Sequence, residues 1–299
     1  MRENLFNIER SIFLEEIDND GNHIFIVGLA RSGTTILLNT LFSTNEFASL
    51  TYRDMPFIMS PNIWSKFNSN NLSEKYIDRY HNDGIKISIN SPEAFEEVFW
   101  STFPSRNPKL FKDYIKLILK KNNKSRYLSK NNQNISRLDF LANNFPDSLI
   151  LITFRDPLQH AQSLLNQHIK FSKKDNDAFI SKYMSLIGHK EFGPNYIPLC
   201  LNEIKHTDDN DLNHWLEQYL LVYGNIFDSF KSCNNIKFVC YESLCENEEV
   251  LNVISNISKI KFNVRPKLKS ANKPITHKYD LSLSGKTNNL YLQMKQISL

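Results

Sequence analysis

Short apolar runs and helical patterns alternate along the chain. His23–Val27 is a β-branched, apolar run of the kind found in strands buried in a parallel sheet. A turn follows at Gly28–Gly33, and in Thr34–Phe42 the apolar residues recur at helical spacing. The pattern therefore predicts a strand, a glycine-containing turn and a helix, in that order.

A second strand–helix unit lies further along the chain. The pattern predicts a helix over Ile135–Phe145, which Pro146 ends because proline cannot continue it. Buried strands are predicted at Ser148–Phe154 and Ile236–Cys240, and another helix over Leu158–His168.

Strands that alternate with helices favour right-handed crossovers and a parallel sheet covered on both faces. The expected fold class is therefore α/β, a three-layer sandwich with a central parallel sheet. We expect a single domain over residues 1–299, with long polar insertions at about 62–126 and 170–211 that cover a binding site. Ligands of such sheets bind beyond the carboxyl ends of the strands.

Composition narrows the class of protein. The chain is 41% hydrophobic and carries a net charge of only +4, which fits a globular protein and gives no argument for nucleic-acid binding. No stretch approaches the roughly 20 apolar residues of a membrane helix, and Met1–Asn22 lacks a signal-peptide pattern. We therefore expect a cytoplasmic protein without a transmembrane segment, although its partner can still lie at a membrane surface. The cysteines form neither CxxC pairs nor clusters with histidine, so no metal site is expected.

Gly28–Thr35 is the main chemical signal. A turn before a helix N-terminus offers backbone N–H groups and the positive end of the helix dipole to a phosphate or sulfate group. Gly28 and Gly33 permit close approach of the backbone, and Arg31 adds a permanent cation. Further hydroxyl donors are Ser32, Thr34 and Thr35. The loop lacks the lysine of a Walker A motif, which argues against ATP or GTP.

Two more motifs follow predicted strand ends. Arg155 stands just past the Ser148–Phe154 strand, where its guanidinium can make a bidentate contact to phosphate. Ser163 lies on the next predicted helix and can donate to the same group. Tyr241 follows the Ile236–Cys240 strand. Carboxyl ends of parallel strands share one edge, so these side chains are expected to meet.

Together these motifs resemble those of the PAPS-dependent sulfotransferases, whose donor is 3′-phosphoadenosine 5′-phosphosulfate. Arg31–Thr35 resembles their 5′-phosphosulfate loop, Phe154–Pro157 with Ser163 their 3′-phosphate motif, and Tyr241–Leu244 their Tyr-Glu-x-Leu segment. The resemblance is nearest to the bacterial carbohydrate and tyrosylprotein-like branch. It implies the P-loop NTPase-like sulfotransferase fold, PAPS as donor, PAP as product and no required metal.

The resemblance implies transfer of a sulfuryl group to a hydroxyl of a small-molecule or glycan acceptor, with a bacterial cell-surface polysaccharide or glycolipid as the expected case. Two alternatives stay open on the residues alone: an NTP-dependent small-molecule kinase, and a non-catalytic nucleotide-binding homologue. The sequence gives no oligomeric state.

Arg31 is the first candidate for stabilising the charge on the transferring group. Lys130 is the second, because family members often have a lysine followed within two residues by proline at this place. Here Asn131 and Asn132 stand where an acid or threonine and that proline are found.

The base that takes the acceptor's proton has several candidates. Thr51 occupies the place of the catalytic glutamate in tyrosylprotein-like enzymes, which leaves Asp54 as the nearest acid, with Arg53 as an acceptor contact. The other group lies in a helix that is expected to begin at Ser91 and Pro92. Its acids are Glu93, Glu96 and Glu97, of which Glu97 is the catalytic candidate and the others acceptor contacts. Lesser candidates are His81 and His168.

Overall fold

The computed structural model describes residues 1–14, 21–68, 75–79, 84–173, 184–200, 202–262, 268 and 272–299. The strands are β1 (Ile24–Val27), β2 (Ile77–Asp78), β3 (Lys86–Ile87), β4 (Leu128–Lys130), β5 (Leu149–Phe154) and β6 (Ile236–Cys240). The helices include α1 (Arg2–Phe13), α2 (Thr34–Phe42), α3 (Pro61–Phe67), α4 (Glu97–Thr102), α5 (Pro108–Asn122), α6 (Leu138–Asn144), α7 (Pro157–Ser172), α8 (Leu212–Phe230), α9 (Tyr241–Glu246), α10 (Glu248–Ser258) and α11 (Leu281–Gln296).

Four strands form a parallel sheet in the order β4-β1-β5-β6, and β2 pairs with β3 in a separate antiparallel hairpin. The three strands predicted from the sequence are confirmed, with β6 over the expected residues. Strand β4 was not expected, because it is only three residues long and Leu128 is its one apolar residue.

Alternation along β1 divides the core into two. Phe25 and Val27 pack with residues of α4, α5, α7 and α8, whereas Ile24 and Ile26 pack with α2 and α10. Successive side chains of a strand point to opposite faces, so the sheet is covered on both sides. The predicted three-layer α/β architecture is therefore confirmed.

Two expectations about the stretch before β4 were wrong. The helix predicted from Ser91 begins only at Glu97, because Pro92 forms a β-bridge with Thr51 and the Glu93 amide donates to the Leu50 carbonyl at 3.2 Å. The stretch also contains α5, a 15-residue helix whose buried face belongs to the core, where only irregular polar chain was expected.

Candidate functional site at the carboxyl edge of the sheet

All four strands of the parallel sheet end at the edge that carries the predicted motifs. The loop 28–33 follows β1, Arg155 follows β5 and Tyr241 follows β6. Lys130 is the last residue of β4, level with Ile26 of β1. The parallel arrangement thus gathers residues that are far apart in sequence.

The loop backbone is held in a form that glycine permits. Gly28 has φ 152°, and a Cβ there would lie 2.5 Å from the carbonyl oxygen of Thr153. Gly33 has φ 96°, and a Cβ there would lie 2.6 Å from the Tyr241 ring. Gly33 is also the N-cap of α2, and no side chain caps that helix. Its first amides therefore remain for an anion.

Buried side chains support the loop from beneath. The Ser32 hydroxyl donates to the Leu29 carbonyl at 2.7 Å and lies 2.8 Å from the Thr153 hydroxyl, so this predicted ligand contact points into the protein. The Tyr223 hydroxyl donates to the Thr153 carbonyl at 2.8 Å and accepts the Leu29 amide at 3.2 Å.

His160 supports the loop at Ala30. Its Nε2 lies 2.9 Å from the Ala30 carbonyl, which can only accept, so this nitrogen carries the proton. Burial lowers the pKa of His160 to about 3, so the ring is neutral at physiological pH.

The remaining donor-site candidates surround one cleft, which we call the loop cleft. It is lined by Arg31, Gly33, Thr34, Thr35, Ile36, Ile85, Arg155 and Tyr241. The Arg155 guanidinium lies 4.8 Å from the centre of the Tyr241 ring, and Arg31 Nε donates to Ser163 Oγ at 3.2 Å. Ser163 therefore contacts the cation of the loop, and both predicted arginines face one opening.

A larger cavity of about 430 Å³, here the main cavity, adjoins the loop cleft. Arg31, Thr34 and Thr35 line both. The residues of the main cavity come largely from the two stretches 62–126 and 170–211, together with Lys130 and its neighbours.

Glu93 is at the centre of a charged cluster in the main cavity. Arg79 Nη2 lies 3.0 Å from one carboxylate oxygen, to which the Tyr52 hydroxyl also donates at 2.9 Å. Lys130 Nζ lies 3.9 Å from the other. Burial alone would raise the pKa of Glu93, but the Arg79 and Lys130 charges lower it to about 2. Burial in turn lowers the pKa of Lys130.

A second pair, His189 and Glu191, lines the same cavity. His189 Nε2 lies 3.3 Å from Glu191 Oε2. Burial lowers the pKa of His189 despite the opposing charge of Glu191, and the nearby Lys130 charge lowers it further. The imidazole is therefore neutral near pH 7 and able to accept a proton.

The other predicted acids differ in position. Glu97 lines the main cavity, forms an ion pair with Arg137 and accepts from Asn131 Nδ2 at 2.9 Å. Glu96 is buried outside the described lining and accepts three hydrogen bonds, from Trp100 Nε1, Asn134 Nδ2 and the Tyr127 hydroxyl.

Asp54 and Arg53 are also placed outside the described lining of the main cavity. Asp54 is buried, accepts from the Thr51 amide at 2.8 Å and pairs with Lys121 Nζ at 2.8 Å. Arg53 Nε donates to Asn90 Oδ1 at 3.0 Å. His168 accepts the Gly193 amide at 3.3 Å, and His81 lies outside the described residues.

The sequence model of the sulfotransferase family matches residues 23–250, about three quarters of the chain. The chain belongs to the sulfotransferase family. The matched region contains the loop, Lys130, Arg155, Ser163 and Tyr241, so the resemblance to sulfotransferases expected from the motifs is confirmed at the level of the family.

Three solved structures that are similar to this sulfotransferase come from bacteria. STF1 of Mycobacterium tuberculosis is 14% identical with a TM-score of 0.47, over 98% of this chain and 81% of that one. STF9 of Mycobacterium avium is 12% identical with a TM-score of 0.48, over 97% and 72%. A sulfotransferase of Alicyclobacillus acidocaldarius is 13% identical with a TM-score of 0.41, over 91% and 92%. No curated protein matches the chain.

The part of this sulfotransferase that the structure describes contains no cluster of three or more acidic, histidine or cysteine side chains arranged for a metal ion. Within the same residues, no helix has both the length and the apolar character needed to cross a membrane.

Sequence reasoning missed several residues of the site. Arg79, His189 and Glu191 lie in polar stretches where no local pattern marks them. Tyr219 and Tyr223 had a weak signal, since a spacing of four places both on one face of α8, and the Tyr219 hydroxyl donates to the Arg155 carbonyl at 3.0 Å.

Proposed function

We propose that this sulfotransferase moves a sulfuryl group from PAPS to an acceptor hydroxyl. The observation that carries the proposal is the loop cleft, where Arg31 and Arg155 from two separate strand ends face one opening beside the uncapped N-terminus of α2. A nucleotide with anionic groups on both its 5′ and 3′ sides has chemistry that matches two fixed cations.

Each donor-site residue has a proposed role in binding PAPS. The backbone of Gly33 and Thr34, the hydroxyl of Thr35 and the Arg31 guanidinium would hold the 5′-phosphosulfate. Arg155 would hold the 3′-phosphate with Ser163, and the Tyr241 ring would lie beside the nucleotide. Ser32 has a supporting role in this proposal, because its hydroxyl is used inside the protein.

Sulfuryl transfer requires the chain to stabilise the leaving group and to hold its cations in place. PAPS supplies an activated sulfuryl group: the acceptor oxygen forms a bond to sulfur, the bond from sulfur to the 5′-phosphate oxygen breaks, PAP leaves, and the acceptor's proton is released. Arg31 and Lys130 would neutralise the charge that grows on the leaving phosphate. Glu93 would keep Lys130 and Arg79 in position, because it contacts both.

His189 is the group best placed to take the proton. It lines the main cavity beside Lys130, is neutral, and is oriented by Glu191. Glu93 is a weaker base, because its pKa of about 2 reflects two neighbouring cations. Both carboxylate oxygens of Asp54 are occupied outside the cavity. Glu97, which is tied to Arg137, is the remaining acid of the lining.

The finer expectations remain proposals. These are the branch within the family, a bacterial and cytoplasmic setting, and one domain with its two insertions over the acceptor site. The main cavity is the proposed acceptor site, since residues of both stretches line it next to Arg31 and Lys130.

Turnover tests the proposal directly. The full chain, incubated with labelled PAPS and a pool of hydroxyl acceptors, is expected to release PAP and form a sulfated product without added metal. Lys130→Met should lower kcat by about a hundredfold, the usual size for loss of one transition-state contact, while Lys109→Met, an exposed control, should leave it unchanged. PAP binding without turnover would favour the non-catalytic alternative, and phosphoryl transfer from ATP with Mg²⁺ would favour the kinase.

A further inference from the structure

A charged cluster and a set of apolar side chains together line the main cavity. In the charged cluster, Glu93 contacts both Arg79 and Lys130. The remaining wall includes side chains that have no hydrogen-bonding group or only a thioether: Met55, Ile87, Phe171, Met184, Ile187 and Phe192.

One part of this apolar lining, Phe171, lies well away from the loop. Ser163 contacts Arg31, whereas Phe171 lies eight residues further along α7, about 12 Å at 1.5 Å per residue. The Phe171 and Phe192 rings are 5.1 Å apart, and Gly193 packs so closely that a Cβ there would lie 2.9 Å from Phe171. This part of the lining is therefore closely packed.

The proposed base lies beside one of these apolar side chains. The His189 ring lies 4.4 Å from the Phe192 ring in an edge-to-face arrangement, and its Nε2 faces Glu191. An acceptor bound at His189 would therefore lie close to the Phe192 ring.

The apolar lining of the main cavity favours some classes of acceptor over others. A sugar ring brought against this wall would leave hydroxyls without partners, and burying a polar group without a hydrogen bond is costly. An apolar skeleton gains from the same contact. A cavity of about 430 Å³ with a mainly apolar wall and a few convergent polar groups is typical of sites for small, largely apolar ligands.

We infer that the acceptor is a hydroxyl carried on an apolar skeleton, aliphatic or aromatic, rather than a glycan, because the cavity that Arg31, Lys130 and His189 line is otherwise lined mainly by apolar side chains. This inference rests on the proposed sulfuryl transfer from PAPS and names the acceptor class of the same site.

The test is an acceptor series with the full chain and PAPS. Linear primary alcohols of six to ten carbons form one arm, 2-naphthol a second, and N-acetylglucosamine oligomers a third. For the aliphatic arm we expect KM to fall about fourfold with each added methylene until the cavity is filled. Turnover of 2-naphthol but not of the alcohols would show that the apolar skeleton of the acceptor is aromatic rather than aliphatic.

A matched pair of variants tests whether the preference for apolar acceptors arises in the main cavity. Ile77→Asn changes a cavity residue that is already 62% exposed, so the fold should tolerate it, and KM for the preferred apolar acceptor should rise about tenfold. Ile257→Asn, on α10 and 44% exposed, should leave KM unchanged. Neither variant should alter PAP affinity.

Binding of PAP, measured in parallel by calorimetry, separates the possible failures. Sulfation of the sugar arm alone, with PAP bound, overturns the apolar acceptor and leaves the donor proposal intact. PAP binding with neither turnover nor binding of any apolar arm likewise overturns it. Absence of PAP binding overturns the proposed function itself, and this inference with it.

Discussion

Arg31 lines both the loop cleft and the main cavity. Its backbone has φ 73°, which is uncommon for a residue with a side chain, and its Nε donates to Ser163 on α7. The guanidinium is therefore fixed between the proposed donor and acceptor sites, at the place where the transferring group must pass. Glu93 likewise holds cations of the main cavity in position, because it contacts both Arg79 and Lys130.

The lowered pKa of His189 predicts how the reaction rate depends on pH. Its folded-state pKa is lowered from 6.5, so kcat/KM should rise with pH through a value below 6.5 and then level off as the neutral base is formed. His189→Gln should lower kcat by about 10²–10⁴-fold, the usual contribution of a general base, and remove that limb of the profile.

The control for this experiment is His206→Gln, which changes an exposed histidine. PAP affinity should be unchanged in both variants. A pH profile that persists in His189→Gln would assign the proton acceptor to another residue, with Glu93 and Glu97 next in order.

At the scale of elements, α8 supports both halves of the loop cleft. Tyr223 links the Leu29 amide to the Thr153 carbonyl, and one turn away Tyr219 holds the Arg155 carbonyl. Two strand ends are thus fixed by hydroxyls of a single helix.

Tyr223→Phe should therefore destabilise the protein by about 1–3 kcal/mol, because it leaves a buried amide and carbonyl without their partner. PAP affinity should fall as well, since the same hydroxyl positions the loop. Urea unfolding and calorimetry measure the two effects, and Tyr76→Phe, at a 62% exposed tyrosine, is the control. Unaltered stability and affinity in Tyr223→Phe would mean that the loop keeps its form without α8.

The sequence predicted those elements whose conformation is indicated by residues that lie close together along the chain. The apolar runs of β1, β5 and β6 and the turn at Gly28–Gly33 can be recognised from neighbouring residues alone. The parallel topology of the sheet then brings Arg155 and Tyr241 to one edge. Non-local pairing was not predictable in this way. Pro92 pairs with Thr51 through backbone bonds, which delays the start of α4 to Glu97 and directs Glu93 into the cavity. His189 and Glu191 likewise depend on how a polar stretch folds back over the sheet.

The stability of the whole molecule depends on pH through His160, which is buried in its neutral form next to the loop. His160 has a folded-state pKa of about 3, against about 6.5 when exposed to solvent. Between these pH values the unfolded chain binds more protons than the folded one, so the free energy of unfolding should fall as the pH is lowered from 6.5. The contribution is at most about 1.4 kcal/mol per pH unit.

His160→Gln isolates this contribution, because glutamine can still donate to the Ala30 carbonyl but does not titrate. Urea unfolding at pH 5 and pH 7 should show a smaller loss of stability in the variant than in the wild type. The window above pH 4.5 avoids Glu93, whose lowered pKa contributes stability that is lost only below its usual value. An identical loss in both proteins would contradict the buried neutral state of His160.

The affinity ratio of PAP to adenosine 5′-phosphate tests the proposed donor most directly. The two ligands differ by the 3′-phosphate that Arg155 is proposed to hold. Calorimetry should show PAP binding the wild type about 10- to 100-fold more tightly, as expected for charge-assisted hydrogen bonds. Arg155→Ala should lose most of this preference, and Arg106→Ala, at an exposed arginine, should keep it. Equal affinities in the wild type, or a preference unchanged in Arg155→Ala, would contradict PAPS as the donor held in the loop cleft.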